Sequence, residues 1–152
     1  LAGEELDGAP TDLFPGATVT PGAEPMEMQL IKMEKKIEAG ARFFQTQAIY
    51  DPKTFERFMN QASKFGVPVL AGIVIIKSPA MARYMNENVP GVNVPDHIIK
   101  QLAEVPRKDR PKKSIELMAE LIRELKPMCQ GIHIMAMGWE RYVPELLDAC
   151  EL

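Results

Sequence analysis

Two spacings of apolar residues alternate along the chain. Short β-prone runs, Gly16 to Thr20, Arg42 to Tyr50, Val67 to Ile76 and Gly131 to Met137, are separated by segments whose apolar residues recur every three or four positions. The first of these segments places Met26, Leu30, Met33 and Ile37 between Pro25 and Gly40, which predicts a helix over about 25–39 with glycine as its C-terminal cap. Asp51 and Pro52 read as the cap and first turn of a second helix, with Phe55, Phe58, Met59, Ala62 and Phe65 on one face and Gly66 ending it. Ser78 and Pro79 repeat that signal for a short helix through about Asn86, and another short one begins at Pro95. A longer helix carries Ile115, Met118, Leu121, Ile122, Leu125 and Met128, and a final one Val143, Leu146, Leu147 and Cys150.

Val67 to Ile76 is continuously apolar and rich in β-branched residues, the composition of a strand buried on both faces. Strands of that kind, each followed by an amphipathic helix, predict right-handed βα units and four parallel strands near residues 16–20, 43–48, 68–76 and 131–136. An open doubly wound sheet and part of a (β/α)₈ barrel both fit this α/β pattern. A complete barrel needs about 250 residues, so a chain of 152 supplies about half of one.

Composition narrows the partners. With 18 Lys and Arg against 21 Asp and Glu, the net charge of −3 offers no overall basic field for nucleic acid or an anionic membrane. The one dense basic run, Arg107 to Lys113, is broken by Pro106 and Pro111 and reads as a solvated loop. Val67 to Ile76, the longest apolar stretch, is far shorter than the ~20 residues of a membrane helix. Cys129 and Cys150 form no CxxC pair, so reduced thiols and a cytoplasmic setting are expected. The chain begins at Leu1 in a turn-rich segment (Gly3, Gly8, Pro10, Pro15, Gly16), which reads as a fragment or processed product.

In parallel α/β folds ligands lie at the C-terminal ends of the strands. Gln45, Thr46 and Gln47 occupy such a place, and an amide there can bond either loop backbone or the edge of a heterocycle such as a pterin. Gln29, Lys32, Lys35 and Lys36 share a helix face apart from the apolar stripe, suited to phosphate or simply to solvent. His133, among Ile132, Ile134 and Met135, reads as a satisfied core residue, and with only His97 beside it no metal site is expected. Met81, Met85, Met135 and Met137 could floor a flat cofactor or fill the core.

Three stretches, KKIEAGARFFQTQAIYD (Lys35 to Asp51), VPVLAGIVIIKSPAMARYMNENVPGVNVPD (Val67 to Asp96) and GIHIMAMG (Gly131 to Gly138), together resemble the methylenetetrahydrofolate reductase family. The HIMAMG ending is similar to the branch found in anaerobes and archaea. The resemblance implies a (β/α)₈ barrel holding a flavin, of which this chain is the C-terminal half, strands five to eight, as one domain over 1–152. It implies reduction of 5,10-methylenetetrahydrofolate to 5-methyltetrahydrofolate, with a flavin cofactor, FAD in preference to FMN. Partners would be the folate and either the N-terminal half of the barrel or another copy of the chain.

By the same resemblance Gln47 matches the family glutamine that contacts folate. Gln29, Lys32, Lys35 and Lys36 fall where family residues contact the flavin nucleotide, Lys36 alone matching in type. Met135 and Met137 replace a Tyr and a Leu beside the flavin, Thr20 stands near a Tyr or Asn position, and Trp139 replaces an arginine. The family's catalytic glutamate belongs to the first strand and its flavin-side aspartate follows the fourth, so no residue of this chain is a candidate for the catalytic acid. A non-catalytic half-barrel subunit of a larger one-carbon or redox complex is the rival expectation.

Overall fold

The computed structural model describes Gly8 and residues 12–150. Gly3 and Pro10 of the expected turn-rich start therefore lie outside the described residues. The order of elements is β1 (Gly16–Val19), α1 (Met26–Glu38), β2 (Phe43–Ala48), α2 (Pro52–Ala62), β3 (Val69–Val74), α3 (Pro79–Asn88), α4 (Asp96–Glu104), α5 (Arg110–Leu125), β4 (Gly131–Met135) and α6 (Val143–Cys150). The four strands form one parallel sheet in the order β1-β2-β3-β4. A doubly wound sheet needs a reversal of strand order, and the described strands have none. Right-handed crossovers between strands laid down in sequence put all the helices on one face.

The caps explain where the helices begin and end. Asp51 accepts from the Lys53 amide at 3.1 Å and from Thr54 Oγ1 at 2.6 Å, with Pro52 in the first turn, while Ser78 Oγ accepts from the Met81 amide at 3.2 Å. Glu24, rather than Pro25, supplies the cap of α1 through its carboxylate on the Met26 amide. Gly40 and Gly66 leave their helices at positive φ (103° and 67°), the conformation that favours glycine there.

The core lies between the sheet and the helices. Phe44, Val69, Ala71 and Ile73 meet Phe55, Phe58, Met118 and Ile122, all fully buried. Two polar contacts fix the strand ends: Tyr50 Oη donates to the Val74 carbonyl at 2.8 Å, and buried Ser114 Oγ on α5 donates to the Ile76 carbonyl at 2.6 Å. The run Arg107 to Lys113 is not the expected loop. Arg107–Asp109 forms a 3₁₀ turn and α5 starts at Arg110, with Pro111 in its first turn. Proline lacks only an N–H that the first turn leaves unbonded anyway, so these prolines mark a helix start rather than a break.

Candidate functional site

Each strand presents alternate residues to the face that carries no helix. Strand register lines up Thr18, Gln45, Leu70 and Gly131 as one row across that face. Toward the C-terminal ends a hollow of about 210 Å³ opens, lined by Thr18, Thr20, Gln45, Gln47, His133 and Met135, with Val19 and Thr46 behind. Of the expected site residues, Thr20, Gln47 and Met135 thus come together.

The hollow is shaped by an irregularity in β2. Pairing with β3 shifts register between Gln45 and Ala48, and Thr46 occupies the shift. Its buried hydroxyl accepts from the Gly72 amide at 2.8 Å and donates to the Gln47 carbonyl at 2.8 Å. The hydroxyl thereby pairs the Gly72 amide at the point where the register shifts. Gln47 turns its Oε1 to the Ala48 amide at 3.2 Å. The bond is to backbone, one of the two partners open to a glutamine here, but within the strand rather than in a loop. It fixes the oxygen and aims the amide nitrogen, a donor of two hydrogen bonds, away from that contact.

Gly72 sits at the centre of this arrangement. A Cβ there would collide with the Thr46 carbonyl, 3.1 Å from Met135 Cε and 3.2 Å from the Gln47 carbonyl oxygen. On the next strand His133 pairs in register with Gly72, and Met135 with Val74. Because the glycine takes no space, the imidazole and the thioether reach the same hollow as Gln47. His133 is half-buried in that hollow rather than enclosed in the core. Its i, i+2 relation to Met135 was the available signal, since strand residues two apart share a face.

The remaining expected residues do not join this group. Met137 lies past the end of β4 at φ 53°, 61% exposed, with its carbonyl accepting from Lys77 Nζ. On α1, Gln29 and Lys36 are half-buried and Lys32 and Lys35 exposed. Lys36 Nζ donates to the Thr18 carbonyl at 2.6 Å, which ties α1 to the edge strand. Neither Lys32 nor Lys35 makes an ion pair among the described residues. Thr20 directs its methyl toward Gly91, whose φ of 76° and missing side chain allow the loops after β1 and α3 to touch.

Burial pushes the Tyr50 phenol well above its ordinary range, and desolvation likewise raises the thiols of Cys129 and Cys150, both free. No group of three or more His, Cys, Asp or Glu suited to a metal ion occurs among the described residues. No helix among them is long and apolar enough to cross a membrane.

The chain is similar to several known proteins. A family model described as methylenetetrahydrofolate reductase matches residues 3–151. The "Probable methylenetetrahydrofolate reductase (NADPH)" of Caenorhabditis elegans is 26% identical over 138 residues, covering 87% of this chain and 21% of that protein. "Methylenetetrahydrofolate reductase 2" of Schizosaccharomyces pombe is 27% identical over 125 residues, covering 74% of this chain and 19% of its own length. The chain thus spans about a fifth of each of these relatives. Among solved structures, a Clostridium thermocellum protein described as binding two copies of 5-methyl-5,6,7,8-tetrahydrofolic acid superposes with a TM-score of 0.60 at 16% identity, over 92% of this chain and 53% of that one.

Proposed function

This chain belongs to the methylenetetrahydrofolate reductase family, and from that premise we propose that it is the C-terminal half, strands five to eight, of a (β/α)₈ barrel that reduces 5,10-methylenetetrahydrofolate to 5-methyltetrahydrofolate with a bound flavin. The observation that carries the reading is the convergence of Gln47, His133 and Met135 on one hollow at the C-terminal ends of parallel strands. Ligand sites of parallel α/β folds form at that end. The hollow, at about 210 Å³, is smaller than the roughly 300–1,000 Å³ of a typical ligand pocket. It is one wall of a site whose other wall would come from the rest of the barrel or from a second copy.

In this scheme the Gln47 amide nitrogen donates to the pterin edge while its oxygen stays on the Ala48 amide. The residues present fit a flavin in two respects: half-buried Met135 offers a polarizable apolar surface, and exposed Lys32 and Lys35 carry no acidic partner that would compete with phosphate. Lys36 would hold α1 against β1 through Thr18, with Gln29 beside it. When bound, the flavin supplies the hydride chemistry. This chain's residues orient the substrate and keep water from one side of it. No side chain here is assigned the role of proton donor, which falls to the half of the barrel that this chain does not contain.

The test is complementation. The purified chain, a separately expressed polypeptide carrying the first four βα units of a family member, and their mixture are each assayed with flavin for methylenetetrahydrofolate reduction. Turnover by the mixture alone supports the reading. Turnover by the isolated chain contradicts it, with Glu24, Glu38 and Asp51 the first carboxylates to substitute. A mixture that forms a stable complex without turnover favours the non-catalytic subunit.

A further inference from the structure

A second cavity lies apart from the hollow at Gln47. It lies where the chain leaves β3, has a volume of about 640 Å³, and is lined by Lys77, Arg83, Arg107, Arg110, Pro111 and Trp139 together with the first turn of α3. Four cationic side chains and no carboxylate line it, in a chain whose net charge is −3. Such crowding of like charge opposes folding unless something compensates it. No ion pair to Arg83, Arg107 or Arg110 occurs among the described residues. Glu140, exposed and accepting from the Gly138 amide at 2.8 Å, interacts with Lys77 from outside the cavity.

Two details point to a ligand. Arg110 Nε is buried without a hydrogen-bond acceptor. A buried donor is normally paired, and a turn of the Arg110 side chain toward a group in the cavity would pair it. Lys77, in turn, is held in position by the Met137 carbonyl and by the Trp139 ring 5.9 Å from its ammonium, so its charge is fixed at the rim rather than free in solvent.

We propose that this cavity binds a phosphate group of a small ligand. Guanidinium forks approach from α3 and from the α4–α5 connection, while the ammonium and the α3 N-terminus approach from the β3 end. A phosphate presents oxygens in several directions and carries up to two charges, which matches donors on more than one side. A carboxylate, with one charge and two oxygens on one edge, matches a single fork. The inference is independent of the reductase reading, since its test involves neither folate nor flavin.

The probe is inorganic pyrophosphate, titrated calorimetrically into the 152-residue chain at low ionic strength, with glutarate as the carboxylate arm. Saturable one-to-one pyrophosphate binding is expected, weakened roughly tenfold by Arg110→Gln and similarly by Arg83→Gln, since each removes a charge-assisted hydrogen bond, and weakened further by added salt. Arg83 is exposed, so its variant separates lost binding from lost folding, and circular dichroism checks both. The double variant Lys53→Gln, Lys64→Gln, at exposed lysines outside both cavities, should bind as the wild type does. Absence of pyrophosphate binding, equal binding of glutarate, or loss of binding only in the lysine variant would each overturn the proposal.

Discussion

Thr46 on β2 and Gly72 on β3 are joined by a 2.8 Å hydrogen bond from the glycine amide to the threonine hydroxyl, at the point where the two strands fall out of register. The same hydroxyl holds the Gln47 carbonyl, so Gln47 inherits its position from its buried neighbour. Thr46→Val keeps the shape and removes both bonds. It leaves the Gly72 amide buried without an acceptor, which costs about 1–3 kcal/mol. Urea unfolding should show the lower midpoint with unchanged slope, and Thr46→Ser should restore most of it.

Gly72→Ala tests the same junction from the other side. The added methyl meets backbone oxygen at Thr46 and Gln47, and backbone cannot swing aside as a side chain can. A loss of about 1–3 kcal/mol is expected from overpacking, read as a lower thermal midpoint. An unchanged midpoint would mean that the two strands separate freely there.

The lysine face of α1 should divide in two. Lys36→Gln removes the bond to Thr18 and should lower stability slightly, whereas Lys32→Gln and Lys35→Gln should leave stability alone and weaken flavin retention in the completed barrel. Because these charges face solvent, their effect should fade as ionic strength rises past about 0.1 M, where the Debye length is about 10 Å. Flavin retention unaltered at low salt would mark them as ordinary surface.

Tyr50 gives a pH signature. Its phenol is buried and donates to Val74, and burial raises its folded-state pKa above that of an unfolded tyrosine, about 10. The stability it contributes is therefore complete below about pH 10 and is lost as pH rises, because the unfolded chain releases a proton that the folded chain retains. Ultraviolet titration should show the Tyr50 phenol ionising only as the protein unfolds, and its ionisation in the folded protein near pH 10 would contradict this.

Much of the fold was legible because its signals are local. Asp51-Pro52, Ser78-Pro79, Gly40 and Gly66 each set a helix boundary through their own backbone chemistry, and the Val67 to Ile76 run has the apolar, β-branched composition of a strand buried on both faces. The site was legible in part. Gln47 stands at a strand end by sequence alone, but the Thr46–Gly72 bond spans 26 positions and depends on register, which hydrophobic period does not encode. His133 was hidden because apolar neighbours on both sides mask the alternation of β4. The basic cavity was hidden for a related reason: Lys77 and Arg83 meet Arg107 and Arg110 only after α3 and α4 fold back, and Pro106 and Pro111 read as loop residues until the helix start is seen.

The central claim is that this chain supplies the folate contact through Gln47, and affinity for 5-methyltetrahydrofolate in the complemented barrel tests it most directly. Gln47→Ala should weaken that affinity about tenfold, the worth of one well-made hydrogen bond in a buried site, while bound flavin, read from its visible absorbance, stays at the wild-type level. Flavin lost with folate affinity unchanged would contradict the assignment.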